Sequence, residues 1–198
     1  MTLARLALSL LLICTPFLLS SCGSPVQVQC ENGVLVSVRD QKLVLVQKGV
    51  AIKSYSISTS KYGLGDQIGS YRTPFGKHVI ASKIGQGVPS GTVFKSRKPT
   101  HEIIQPNSPG RDPIVTRILW LKGQEKQNRN SYSRFIYIHG TPEERTLGTP
   151  SSYGCIRMSS SDVIDLHKRV RLGSSVEITK KSLKIDRGGL VYYRKSFL

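Results

Sequence analysis

Residues 33–58 constrain the fold most. Val34, Val36 and Val38 alternate with Leu35, Ser37 and Arg39, a period of two that gives a strand two distinct faces. Asp40-Gln41 reads as a turn, 43–46 as a second strand, Lys48-Gly49 as a second turn and 51–58 as a third strand. Two-residue turn signals between alternating runs are hairpin grammar. A chain that opens its ordered part with such a meander is expected to be mainly β. One stretch has a helical period instead. Ser159 with Asp162 three residues on is a capping-box pattern. Val163, Leu166 (or His167) and Val170 supply the buried stripe, and Gly173 stands where the helix should end. His167 is expected on the helix surface or at the edge of the core.

Further strands are expected over 77–83, after the turn Thr73-Pro74-Phe75-Gly76, over 114–122 and over 175–179. Trp120, the only tryptophan, falls in 114–122, and core packing is its expected role. Residues 60–72 read as a glycine-bearing loop. Residues 85–113 carry five prolines and read as long and irregular, either the wall of a groove or a surface insertion. His101-Glu102 within them has no partner in the sequence pattern. The basic segment 180–198, with Val191-Tyr192-Tyr193, is an added edge strand or a tail.

The first 21 residues read as an export signal: Arg5 precedes an apolar run over 6–19 that is short for a membrane span. Leu19-Ser20-Ser21-Cys22 resembles a bacterial lipobox, in which cleavage before the cysteine leaves it lipidated. The expected organisation is thus a lipoprotein signal over 1–21, a tether over 22–32, a catalytic domain over 33–179 and a basic extension over 180–198. That places the protein in the cell envelope, held to the membrane at Cys22 and facing the periplasm or wall. Of four cysteines none forms a CxxC pair, and four histidines lack ligand spacing. No metal and no cofactor is expected, and the chain is expected to be a monomer. Lys and Arg outnumber Asp and Glu by 29 to 12, for a net charge of +17. A polyanion is the partner such a surface attracts. No nucleic-acid-binding motif occurs, and an export signal favours an anionic envelope polymer.

The chemistry concentrates between 134 and 158. Phe135, Tyr137 and His139 alternate with Ile136 and Ile138, so a strand should end at His139. A loop with Gly148 and Pro150 follows, and then Ser152-Tyr153-Gly154-Cys155-Ile156-Arg157-Met158. A thiol nucleophile needs a base within hydrogen-bond reach and donors for the developing oxyanion. A strand-end histidine and a glycine-flanked cysteine, joined by a loop that folds back, could supply both.

These residues resemble the L,D-transpeptidase (YkuD-type) catalytic domain family. The resemblance rests on His139-Gly140-Thr141, on Leu147-Gly148, on Ser152-x-Gly154-Cys155-Ile156-Arg157-Met158 and on Thr73-Pro74-x-Gly76. It implies an antiparallel β-sandwich-like fold with one short helix near the site. It also implies an enzyme acting on peptidoglycan stem peptides through a thioester. Cys155 would be the nucleophile and His139 the general acid and base. The Gly140 carbonyl would orient His139, and the N–H groups of Gly154 and Cys155 would bind the oxyanion. The acyl group would pass to an amine, forming cross-links, or to water, trimming a tetrapeptide. The family usually has histidine where this chain has Tyr153, which opens a further reading as a weakened wall-binding lipoprotein. Arg157 is expected to hold a substrate carboxylate, or else to pair with Asp162 or Glu144. Ser152 would fix the loop or touch substrate, and Tyr153 would stack on the ligand or pack.

Overall fold

A computed structural model of the chain describes residues 26–27 and 30–193. The expected export signal over 1–21 and the lipidation site Cys22 lie outside the described residues. In chain order the strands are β1 (Val26–Gln27), β2 (Asn32–Ser37), β3 (Lys42–Gln47), β4 (Val50–Ser56), β5 (Gly76–Ile84), β6 (Thr92–Lys95), β7 (Lys98–Ile103), β8 (Val115–Gly123), β9 (Tyr137–Gly140) and β10 (Ile156–Met158). The helix α1 (Ser160–Arg169) follows, then β11 (Ser175–Thr179), β12 (Leu183–Ile185) and β13 (Val191–Tyr193). The fold is mainly β, as the period of two requires.

One large sheet runs β10-β9-β8-β5-β11-β2-β3-β4, with β6 added to β8 and β7 to β6. Most neighbours are antiparallel, but β10 runs parallel to β9 and β11 parallel to β2. The opening meander shows why the sequence folds this way. Val34, Val36, Leu43 and Leu45 face the main core, where Ile80, Leu119, Ile138, Ile156 and Met158 join them. Leu35, Val44 and Val46 point to the opposite face and are equally buried. A strand hydrophobic on both faces needs a cover on each. A small sheet, ordered β1-β13-β12, supplies the second cover with Val191, Leu183 and Tyr193. Burying each Leu, Ile or Val side chain contributes about 1.5–3 kcal/mol. The segment after 179 is therefore packed structure through Tyr193, in a sheet of its own rather than as an added edge strand or a tail. Part of the expected tether is structured too: β1 pairs with β13, and Cys30 is half-buried against the same cluster.

Helix α1 starts as its sequence dictates, with the Asp162 N–H donating to Ser159 Oγ at 3.1 Å. Val163 and Leu166 are fully buried. Two expectations fail here. The helix ends at Arg169 rather than at Gly173, because Val170 turns extended to reach the core. His167 lies inside rather than at the surface, 1% exposed.

The segment 85–113 also departs from its reading as irregular. It holds the β6–β7 hairpin, whose turn residues Ser96 and Arg97 both have positive φ (49° and 66°), the backbone of a tight hairpin turn. Pro99 disguised it, yet proline is tolerated on an outer strand. Trp120 is partly buried and packs against the core cluster of Phe94, Ile118 and Tyr137, as expected of it. It stacks on Tyr132 with ring centroids 4.1 Å apart and planes 7° from parallel. The catalytic-region strand begins at Tyr137 and not at Phe135, which sits at φ +57° and is 48% exposed.

Candidate active site

β9 and β10 build the site. Their parallel register pairs Ile156 with Ile138, Arg157 with His139 and Met158 with Gly140. Parallel neighbours need a crossover connection, and the segment 141–155 provides it. Cys155 is the last residue of that crossover, one step before the Ile156–Ile138 pair. Its Sγ accepts a hydrogen bond from the Tyr137 N–H at 3.4 Å, and its thiol lies 3.4 Å from the Phe135 carbonyl oxygen, to which it donates. Sγ thus rests against main chain and is not hydrogen-bonded to the His139 ring.

His139 is 6% exposed. Its Nδ1 lies 2.8 Å from the Gly140 carbonyl oxygen. A carbonyl can only accept, so Nδ1 carries the hydrogen and Nε2 keeps its lone pair. Burial pushes the His139 pKa down to about 4, with the nearby Arg157 charge adding to this and the Gly140 carbonyl and Asp112 opposing it. Burial pushes the Cys155 thiol up to about 11, opposed by the Tyr137 N–H and by Arg134 and Arg157. At neutral pH both groups are uncharged.

Gly140 is held to glycine by close approach. A Cβ there would stand 2.7 Å from the Val115 carbonyl oxygen and 3.2 Å from Val163. The absence of a side chain lets β8 and α1 close on the carbonyl that orients His139.

The loop that carries Cys155 is fixed from several sides. Ser152, 2% exposed, donates to the Cys155 carbonyl at 2.6 Å and accepts from the Gly154 N–H at 3.2 Å. Both bonds lie within the loop itself. Ser152 also occupies the Gly154 N–H in the resting state, so that donor must exchange partners to meet an oxyanion. Thr73, from the Thr-Pro turn, donates to the Gly154 carbonyl at 2.9 Å. Arg157 is 6% exposed and turned inward. Its guanidinium pairs with Asp112 and donates to Thr146 Oγ1 at 3.0 Å and to Ser151 Oγ. Its ion pair is with Asp112 rather than with Asp162 or Glu144. The Glu144 carboxylate accepts instead from the Ser160 N–H at 2.8 Å. Tyr153, by contrast, is 60% exposed.

Four contributors had no signal in the sequence pattern. Asp112 sits in the proline-rich segment 85–113 and holds both Arg157 and the Thr141 hydroxyl. Arg134 and Asp66 form an ion pair at 3.3 Å with both side chains under a tenth exposed. Arg134 also donates to the carbonyls of Gly65 (3.0 Å) and Arg72 (2.7 Å), clamping the loop before Thr73 to the turn before β9. Ser58 exchanges main-chain bonds with Arg157 at 3.0 and 2.8 Å. The Thr73 pattern marked a turn but not its bond to Gly154.

Among solved structures, an L,D-transpeptidase from Mycobacterium smegmatis aligns at 13% identity and a TM-score of 0.49 over 75% of this chain and 58% of that one. An L,D-transpeptidase from Xylanimonas cellulosilytica aligns at 17% identity and 0.48 over 77% and 63%. L,D-transpeptidase 3 from Mycobacterium tuberculosis, in complex with a faropenem-derived adduct, aligns at 17% identity and 0.49 over 75% and 60%. The chain spans less than two thirds of the length of each. No curated protein sequence matches. The profile of one family, the YkuD L,D-transpeptidase catalytic domain, matches residues 31–178. With three quarters of its length inside that match, the chain belongs to the L,D-transpeptidase catalytic domain (YkuD) family.

Proposed function

We propose that this protein is an active L,D-transpeptidase that forms a thioester between Cys155 and the third residue of a peptidoglycan stem peptide. One observation carries the proposal: the β9–β10 register sets Cys155 beside the strand that presents His139, with Nδ1 committed to the Gly140 carbonyl and Nε2 left as a base.

The cycle follows from these groups. As Sγ attacks the stem carbonyl, the thiol proton passes to His139 Nε2. The developing oxyanion takes hydrogen bonds from the Cys155 and Gly154 N–H groups, the latter released from Ser152. The tetrahedral species collapses, His139 returns the proton to the departing amine, and D-Ala leaves. An acceptor amine then attacks the thioester, losing its proton to His139, and the thiolate is reprotonated. A neutral thiol and a neutral imidazole support proton transfer coupled to attack rather than a standing ion pair. Arg157 acts as a positioning residue: through Asp112, Thr146 and Ser151 it holds the crossover in place. A lipid anchor at Cys22, holding the enzyme at the envelope membrane, fits the export signal and the basic surface. Loss of membrane fractionation in Cys22→Ala tests it.

The activity is tested by incubating the full chain in detergent with a purified disaccharide-tetrapeptide and reading products by mass spectrometry. Dimers formed with loss of D-Ala, absent with Cys155→Ala, establish transpeptidation. A shortened tripeptide alone makes water the acceptor. Unchanged substrate refutes the proposal.

A further inference from the structure

Tyr153 opens onto a platform that the chemistry above does not use. Its ring lies 5.8 Å from that of Tyr62 and 5.9 Å from that of Tyr71, while Tyr62 and Tyr71 are 6.1 Å apart. The three rings meet tilted or edge-on rather than stacked, and they are 47%, 58% and 60% exposed for Tyr62, Tyr71 and Tyr153. Three large exposed rings in mutual contact form a contiguous patch rather than scattered surface residues, and such patches mark interaction sites. Lys61 sits among them, its Nζ 4.4 Å from the Tyr153 ring centre and donating to the Tyr153 hydroxyl at 3.0 Å.

The platform is built and rigid. Ser60 pairs with Ser152 as an isolated bridge, and the Lys61 N–H donates to the Ser152 carbonyl at 3.1 Å. Ser60 Oγ donates to the Tyr71 carbonyl at 2.6 Å and accepts from the Tyr62 N–H at 2.9 Å. One buried serine therefore ties all three tyrosine segments to the nucleophile loop. Tyr71 is held at φ +56°. A bulky residue in the left-handed region is strained, and strain retained at a displayed side chain points to a use for that side chain.

The ligand follows from shape, chemistry and place. Each phenol offers an apolar face and a hydroxyl edge, which complements a pyranose ring with its C–H face and equatorial oxygens. The ammonium of Lys61 adds donors for sugar oxygens. Three extended stem residues span about 10 Å, so a stem whose third carbonyl lies at Cys155 carries its sugar roughly that far from Sγ. Tyr153 is two residues from Cys155, and the other two rings extend the surface outward. We infer that Tyr62, Tyr71 and Tyr153, with Lys61, form a saccharide subsite that grips the amino-sugar ring bearing the stem peptide, so that the enzyme reads glycan-linked donors in preference to free peptides. This rests on the stem-peptide reading above.

The test compares a disaccharide-tetrapeptide with the free tetrapeptide as donors for the full chain. The expected ratio of kcat/KM is about tenfold in favour of the sugar-bearing donor, expressed mainly in KM. In Tyr62→Ala and Tyr71→Ala the ratio falls toward one, and in Tyr62→Phe, which keeps the ring face, most of it survives. A ratio near one in the parent protein, or a ratio unchanged in alanine variants with parental melting temperatures, overturns the inference. Equal losses on both donors also overturn it and make the rings stem-peptide contacts. Should neither donor react, the proposed function fails on its own. The subsite is then read with Cys155→Ala protein titrated with chitotetraose by NMR. Shifts at the tyrosine ring protons that Tyr62→Ala abolishes uphold the subsite, and no shifts at millimolar sugar dismiss it.

Discussion

The Tyr137 N–H points at Cys155 Sγ from 3.4 Å, across the same strand pair that sets Arg157 opposite His139. The proposed nucleophile is thus held by the backbone of the strand that carries its proposed base. Sγ faces a donor that favours the thiolate and, in the Phe135 carbonyl at 3.4 Å, an acceptor that favours the thiol. Burial decides between them, and the thiol wins.

That balance sets the pH behaviour of Cys155. Alkylation by iodoacetamide needs the thiolate. With the thiol pushed up to about 11, the rate should climb about tenfold per pH unit from 7 to 10. A plateau below pH 8 would mean a standing thiolate–imidazolium pair. The base limb lies far lower. His139 titrates at about 4, so kcat/KM should stay level as pH falls from 7 to 5 and drop only near 4.

Removing the base should leave binding and cost rate. His139→Ala is expected to lower kcat by about 10²–10⁴-fold with KM for the donor little changed. Equal kcat for His139→Ala and the parent would remove His139 from the chemistry.

Gly140→Ala tests the close approach beside His139. Its Cβ would meet the Val115 carbonyl oxygen at 2.7 Å, so β8 and β9 must part. Overpacking of this kind costs about 1–3 kcal/mol, measured by urea unfolding. Because the displaced carbonyl orients His139, the kcat loss should exceed what the stability loss explains.

The Arg134–Asp66 pair should be a stability determinant out of proportion to its place in a loop. Both side chains are under a tenth exposed. Breaking one side of a buried pair costs about 3–5 kcal/mol, so Arg134→Ala should lower Tm markedly and Asp66→Asn somewhat less. A shift of only a degree or two in Arg134→Ala would show that the clamp is solvated.

His167 should govern acid stability. Both ring nitrogens are buried and find no hydrogen-bond partner among the described residues. Burial first, and then the charges of Lys83 and Arg117, together lower its pKa from 6.5 to about 4. Below pH 6.5 the unfolded chain takes up a proton that the native fold refuses, so stability falls as pH drops from about 6.5 to about 4. His139 and His78 are shifted in the same direction and add to this slope. His167→Leu removes an unsatisfied polar group, which typically costs about 1–3 kcal/mol. The variant should be more stable at neutral pH and lose less on acidification. An unchanged slope in urea unfolding at pH 7 and pH 5 would contradict this.

How much of this the sequence carried depends on the range of each signal. The meander was legible because Val34, Leu35 and Val36 follow a local rule, and the pairing of β9 with Cys155 because its residues stand in one short stretch. The β6–β7 hairpin was not legible. Pro99 breaks the strand pattern, and Ser96-Arg97 lacks the Asn or Gly that marks a left-handed turn. The helical stripe could take either Leu166 or His167, and the fold buries both, a breadth of cover that helical spacing alone does not encode. Asp112 and Arg134 were invisible because ion pairs to Arg157 and Asp66 span 45 and 68 positions, and no local pattern encodes them.

The most direct test of the account is the intact mass of the protein after rapid acid quench with the disaccharide-tetrapeptide donor. The account predicts a transient adduct equal to the donor minus D-Ala, localised by proteolysis to the peptide carrying Cys155, discharged by hydroxylamine and absent in Cys155→Ala. An adduct that persists in Cys155→Ala, or turnover without any adduct, would contradict it.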